Sequence, residues 1–551
     1  MRTRGRIAGL RHHVAWWALA AVPVGFLALF FVWPLGTMLG RGLIADGGID
    51  VAGVWNVLTA TRTGTVVRST VELAAMGTAG ALALGLPSAY VLYRLRWRGQ
   101  SAVRALVAVP FVLPTVVVAA AFTALLGRQG LLGGLGLDQS VAAIVLALVF
   151  YNVTVVVRIV GGTWAGLDPS AVSAARTLGA SPRRAFVAVT LPMLAPAIAS
   201  AAAVVFLFCS TAFGVVLVLG GTRIRTIETE MYLQVNQFLN LRAAAVLALV
   251  QLVFVGLTLA AAAWARRRRE NTQGSKRIDG TRAATRRDAP VVAGVLGVLA
   301  VLLVTPMIAL AERSLRTHDG HGFDHYVALL EPPTRTVLAV PVWQAGLNSL
   351  TTALVAAALA STLGLMVAHL VTHRSRRSAA LDSFVMLPLG VSAVMVGLGL
   401  LLTMHQGALG VNLRGSWWLI PVAQSVVALP LVVRTLVPSA RGIDPGLRRA
   451  AATLGAGPLR VWREVDWPLL RRPFGLAVGF AFAISLGEFG ATSFLARPDR
   501  PTLPTAIFRL LGRPGIDNVG MAFATAVVLA LVTAAVMMAS ERMRTQVGAD
   551  L

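Results

Sequence analysis

The sequence predicts an all-α integral membrane protein of about twelve transmembrane helices, laid out as two tandem six-helix halves. Three observations carry that expectation. Hydrophobic residues make up 56% of the chain and charged residues only 13%, too apolar a balance for a soluble globule. The apolar residues gather into runs long enough to cross a bilayer, separated by short polar intervals. One polar stretch, Leu167 to Leu194, recurs as Ile443 to Leu470 at a spacing of 276 residues, from Asp168 to Asp444.

Taken in order, Met1 to His13 is basic through Arg2, Arg4, Arg6 and Arg11, and Val14 to Leu39 follows as a first span. Ala18-Leu19-Ala20 imitates a signal-peptidase site, but the apolar run continues well past it, so the span is expected to stay uncleaved with its N-terminus inside. Further spans are expected at Val67–Tyr93, Ala105–Leu126, Val141–Val160, Ala195–Leu219 and Ala243–Ala263. Arg94, Arg96, Arg98 and Arg104 mark one connection as cytoplasmic, whereas the segment from Arg128 to Ser140 carries little charge and faces out. A polar run from Arg266 to Pro290 with nine basic residues and no apolar face is a cytoplasmic linker. Six more spans are expected at Val291–Ala311, Leu347–Val371, Ala380–Met404, Trp417–Leu436, Phe474–Leu495 and Met521–Ala539. The domains are therefore 1–265, the linker 266–290, and 291–551, with both termini cytoplasmic. Arg158/Arg434, Phe213-Gly214/Phe489-Gly490 and Thr226/Thr502 keep the same spacing, so the duplication spans both halves.

A net charge of +26 would suit nucleic acid, but the arginines cluster between apolar runs, which is the pattern of membrane orientation. The single cysteine, Cys209, excludes an internal disulfide and any CxxC motif.

The recurring stretch shares the residues that punctuate a backbone: Asp168/Asp444, Pro169/Pro445, Gly179/Gly455, Pro182/Pro458 and Pro192/Pro468. Asp followed by Pro predicts an N-cap and first helical position. Gly179 and Gly455 should close that short helix in a left-handed conformation. A second helix should begin at Pro182 or Pro458, to be ended or kinked by Pro192 or Pro468.

The pattern AA-x-TLGA with a following proline resembles the cytoplasmic EAA loop of ABC-importer permeases. Over nearly the whole chain the similarity is to the fused, duplicated permeases of the thiamine and ferric-iron type. GRQGLL (Gly127 to Leu132), LVFYN (Leu148 to Asn152), GGTRIRTIETEMY (Gly220 to Tyr232), SLGEFG (Ser485 to Gly490) and TLP (Thr502 to Pro504) support it. The resemblance implies a membrane permease without its own ATPase, served by a cytoplasmic ABC ATPase dimer and an extracytoplasmic solute-binding protein in a bacterial plasma membrane. It places ATPase coupling on Asp168, Ala174, Ala175, Gly179, Ala180 and Pro192, and on Asp444, Ala450, Ala451, Gly455, Ala456 and Pro468. The family's leading glutamate is replaced by Ser173 and Arg449. Through GRQG, the Asn152 region and the Thr-Ile-Glu segment the resemblance favours thiamine or a close cation slightly over ferric iron, and it leaves a phosphonate and a polyamine open.

No cofactor is expected in the chain itself. Its only lysine, Lys276, lies in Ser275-Lys276-Arg277, which is no phosphate-cradling loop, and neither HExxH nor GxSxG occurs. No metal is assigned: His369 and His373 are four apart but lack a third ligand, and the cluster His318, Asp319, His321, Asp324 and His325 has the composition of a solvated outer loop. Polar groups inside spans are costly and so are site candidates, with Glu488 first, then Asn152 and Tyr151 on a substrate pathway. A structural role for Glu488 stands beside that one. Glu72, Gln251 and Gln424 are weaker, because span amides also join helices. Arg183, Arg184, Arg448, Arg449, Arg460 and Arg463 face either an acidic partner or lipid. An ion-gradient-driven secondary transporter is the alternative. It calls for conspicuous span acids, of which there are few, and gives no reason for paired loops.

Overall fold

The structure is a computed structural model and describes residues 16–45, 48–267, 281–318, 320–332, 337–372, 375–404, 412–413 and 415–549. In chain order the first repeat contains α1 (Trp16–Leu43), α2 (Thr61–Arg94), α3 (Gln100–Phe111), α4 (Thr115–Leu126), α5 (Val141–Ala165), α6 (Ser170–Thr177), α7 (Pro182–Ser210), α8 (Phe213–Leu219), α9 (Ile227–Asn236) and α10 (Leu241–Ala261). The second contains α11 (Arg286–Leu315), α12 (Val342–Val371), α13 (Arg376–Val385), α14 (Ala393–Thr403), α15 (Leu419–Arg441), α16 (Pro445–Thr453), α17 (Pro458–Gly487), α18 (Thr492–Leu495), α19 (Leu503–Leu511) and α20 (Ile516–Ser540).

Among the described residues ten helices are long and apolar enough to cross a membrane, or eleven when α3 and α4 count as one span bent by 100°. The continuous spans expected at Ala105–Leu126 and Ala380–Met404 are thus each broken. Pro110 and Pro114 interrupt the first, since each lacks the amide that would carry the helix ladder onward. Pro388 and the Ser392 cap, whose hydroxyl accepts from the Met395 amide, divide the second. The expected span Ala195–Leu219 stops at Ser210 and restarts at Phe213, and Phe474–Leu495 stops at Gly487 and restarts at Thr492.

Of the two outcomes expected at the prolines at the feet of α7 and α17, an end or a kink, the structure excludes the end. Pro192 and Pro468 neither end the helix nor separate it from the span: 29 residues run unbroken from Pro182 to Ser210, and 30 from Pro458 to Gly487. A π turn precedes each proline, Phe186–Thr190 in one repeat and Trp462–Asp466 in the other. The wider turn moves the carbonyl that a proline ring would strike and removes the need for the missing amide.

The chain forms two compact units, and they do not follow the sequence halves at 1–265 and 291–551. One unit holds residues 1–48, 326–513 and 528–551; the other holds 49–325 and 514–527. In the first, α1 packs on α14 and α15, and the approach is close enough that a Cβ on Gly399 would lie 3.2 Å from Pro34. In the second, α11 packs on α4. The first span of each repeat is therefore housed with the helices of the other repeat. Each unit has the same three-helix centre, α2, α5 and α7 in one and α12, α15 and α17 in the other. A close crossing is duplicated too. A Cβ on Gly85 would meet Val156 at 2.6 Å, and one on Gly364 would meet Val432 within the same van der Waals limit, so only glycine lets these helices touch.

The end of the linker is structured. Leu95–Arg96 pairs in parallel with Arg282–Ala283, and the Arg282 guanidinium grips both Asp288 carboxylate oxygens while donating to the Tyr90 hydroxyl at 2.7 Å. The linker expected from composition to be solvated is thus docked at its last residues against the C-terminal end of α2.

Candidate functional site

The two copies of the recurring stretch fold alike, one in each compact unit. In the second copy Asp444 is the N-cap of α16, its Oδ1 accepting from the Gly446 amide at 2.8 Å with Pro445 in the first turn. In the first copy the cap shifts by one residue. Pro169 occupies the cap position, and Asp168 accepts from the Ser170 amide at 2.8 Å. The Ser170 side chain and amide together hold the Asp168 carboxyl below the usual carboxylate range.

Both helices end in the same hydrogen-bonded turn. The Ala180 amide donates to Ala175 O and the Gly179 amide to Arg176 O, each at 3.0 Å; Ala456 donates to Ala451 O and Gly455 to Ala452 O, again at 3.0 Å. Gly179 and Gly455 have φ of +87° and +84°, the left-handed conformation this closure requires. Ser181 then caps α7 by accepting from the Arg184 amide, whereas Gly457 offers α17 no side-chain cap.

The result is a helix, a hydrogen-bonded turn and a second helix, with an apolar tip. Leu178 and Leu454, the residues just before the two glycines, are each 88% exposed. The two leucines thus stand out at equivalent positions of the two copies. Ala174, Ala175, Ala450 and Ala451 lie on the helices that carry these tips, and Ala180 and Ala456 supply the closing amides.

At the opposite end of each unit, a second duplicated device anchors a short helix. Thr226 and Thr229 form a capping box at the start of α9, and Thr502 and Thr505 form one at the start of α19. The Ile227 amide donates to Thr70 Oγ1 of α2 at 3.0 Å, and the Leu503 amide to Ser349 Oγ of α12 at 2.7 Å. Beside the second of these, a cavity of about 330 Å³ is lined by Asn348, Thr352, Trp417, Arg497, Arg500 and Thr502.

The substrate-pathway candidates fare differently. Glu488 is buried, but its carboxylate caps the turn that follows: Oε1 accepts from the Ala491 amide at 2.7 Å, and Oε2 from the Thr492 amide at 3.0 Å and hydroxyl at 2.5 Å. Asn152 is buried between helices, donating to Leu148 O at 2.9 Å and lying 3.4 Å from Cys209 Sγ. Tyr151 is half-buried against Phe111. Glu488 belongs to one unit, Asn152 and Tyr151 to the other.

Of the weaker candidates, Glu72 pairs with Arg68 one turn away on an exposed face, and Gln251 donates to Ser210 O at 3.5 Å. The clustered histidines go to separate partners: His318 is 3.8 Å from Asp517, His321 is 3.4 Å from Glu312, and buried His325 faces Arg316 O at 2.9 Å. Asp319 and His373 lie outside the described residues.

Two of the ion pairs that sequence reasoning missed lie at these duplicated elements. Glu230, buried on α9, accepts from Arg62 Nε at 2.6 Å and from Gln234 at 2.7 Å, with Arg225 at 3.5 Å. Arg448 of α16 meets Asp466 of the π turn at 2.7 Å. The pattern Ile227-Glu228-Thr229-Glu230 was visible, but no local spacing ties it to Arg62, 168 residues away.

Residues 81–271 and 360–544 match the family described as binding-protein-dependent transport system inner membrane component. The chain is 27% identical to the thiamine transport system permease protein of Brucella suis over 95% of each chain. It is 28% identical to the thiamine transport system permease protein of Escherichia coli K12 over 77% of this chain and 79% of the relative. The molybdenum transport system permease protein of the same strain is 34% identical over 33% of this chain and 85% of its own length, as expected where one repeat answers to a whole single-copy relative. Two matches that together cover most of the chain, on a helical scaffold built twice over, place it in the family of inner membrane components of binding-protein-dependent transport systems, as a multi-pass transport protein.

Proposed function

We propose that the two recurring loops are the coupling elements of an importer of thiamine or a closely similar cation, each seating its leucine tip in one subunit of a separate ATPase dimer. The observation that carries this is the twofold occurrence of a glycine-closed helix whose tip leucine, Leu178 or Leu454, is held almost fully exposed. A tip on a stiff, hydrogen-bonded support passes a partner's motion to the span it stands on, α7 or α17, where a floppy loop would absorb it. Nucleotide is handled by that partner. A solute-binding protein meets the opposite ends of the units, which puts both loops and both termini in the cytoplasm, in keeping with the arginines around them. Thiamine is placed ahead of ferric iron because two thiamine permeases match this chain over most of its length.

Two experiments test this. Cysteine crosslinking from Ala175 and Ala451 should capture a nucleotide-hydrolysing subunit, and failure at both positions overturns the coupling role. Proteoliposomes holding the chain, the ATPase and a binding protein should take up labelled thiamine only with ATP, and excess ferric iron should not compete. Uptake by the chain alone along an ion gradient would overturn the importer mechanism.

A further inference from the structure

The two loops share their closing turns but not their bracing. In the second, Arg448 sits midway along α16 and its Nε lies 2.7 Å from Oδ1 of Asp466, the last residue of the π turn at the foot of α17. The side chains are 20% and 8% exposed, so the pair is shielded from solvent and salt. It joins residues 18 apart in sequence, whose covalent connection passes through the Gly455 turn. At the corresponding positions of the first loop, 276 residues earlier, stand Val172 and Thr190, which cannot form an ion pair.

We propose that the Arg448–Asp466 pair is a positioning strut: it fixes the angle of α16 to the foot of α17, and the first loop works without one, so the two loops transmit motion unequally. This rests on the coupling role proposed above. The physical ground is that a helix tied to a span only through a glycine turn keeps a soft torsional degree of freedom. A charge-assisted hydrogen bond across the angle removes it. Asp466 also sits in the turn that lets α17 continue past Pro468, so the strut reaches the span at a point where its backbone is already widened.

The test uses the full chain with its ATPase and binding protein in proteoliposomes, and reads solute moved per ATP hydrolysed beside capture of the ATPase by the detergent-solubilised chain. R448M and D466N should each lower the transport-to-hydrolysis ratio by about tenfold, the scale of one charged hydrogen bond of about 1.4 kcal/mol. Capture should stay within twofold of the parent, and the charge swap R448D/D466R should return the ratio to within threefold of it. A parental ratio in both single variants overturns the strut, as does a swap no better than either single variant. Loss of capture in R448M with capture intact in D466N also overturns it, because the arginine then serves the partner directly. If the parent chain itself captures no ATPase, the coupling role falls and the strut with it.

Discussion

Replacing Gly455 tests the loop geometry most sharply, because the structure separates backbone strain from crowding. A Cβ built on Gly455, or on Gly179, meets nothing within 4 Å, so within the chain the effect of a side chain there comes from φ and not from crowding. At φ near +84° an ordinary L-residue costs about 1–2 kcal/mol, which converts to about 5- to 30-fold against the closed turn. Asparagine tolerates this region and should cost least, alanine should show the full penalty, and a β-branched valine should exceed it. The assay is solute-stimulated ATP hydrolysis and uptake in proteoliposomes, with membrane insertion followed separately. The expected order of coupling is Gly, then Asn, then Ala, then Val, with insertion unchanged throughout. Normal solute-stimulated hydrolysis and uptake in Gly455→Val, or equal defects in Asn and Ala, would refute the claim that the left-handed turn carries the coupling.

Other outcomes follow from the same structure. Leu178→Ala and Leu454→Ala should leave thermal stability within about 0.5 kcal/mol, since neither side chain is buried, yet weaken ATPase capture by about tenfold each. Arg62→Met should lower thermal stability in detergent by about 2 kcal/mol because Glu230 keeps its buried charge without its nearest partner; Arg62→Met with Glu230→Met should recover most of that loss. Glu488→Ala should cost about 1–2 kcal/mol of stability through its lost cap while the KM for solute stays within twofold; a large KM change at unaltered stability would return Glu488 to the solute pathway.

What could be read from the sequence is what local chemistry dictates. Gly179, Gly455, the Asp-Pro helix starts and the spacing of Pro182 and Pro458 announce helix ends, because caps and left-handed turns depend on a few adjacent residues. The bilayer-length runs were legible for the same reason. The continuity of α7 through Pro192 was not, because a single proline specifies the loss of a hydrogen bond but not whether a wider turn compensates. The breaks near Thr211 and Glu488 lie inside runs whose average hydropathy is that of a span, and hydropathy does not distinguish one helix from two meeting at an angle. Glu488 was singled out correctly as a buried acid, but its partners are its own following amides, a use that neither charge nor position in the span reveals. The Arg62–Glu230 and Arg448–Asp466 pairs depend on which helices become neighbours, and that information is tertiary.

The lodging of α1 among helices of the later repeat sets a timetable for biogenesis. Leu43 and Val342, the end of α1 and the start of α12, are separated by 342 − 43 = 299 residues. At a ribosomal pace of about 5–20 residues per second the earliest helix waits about 15–60 s in lipid before α12, α14 and α15 emerge. Helices α2 through α11 meet their neighbours as they are made. A nascent chain stalled before residue 342 would therefore hold one orphaned helix beside a unit already largely assembled, which is a substrate that membrane insertases or quality-control proteases can discriminate from the finished protein.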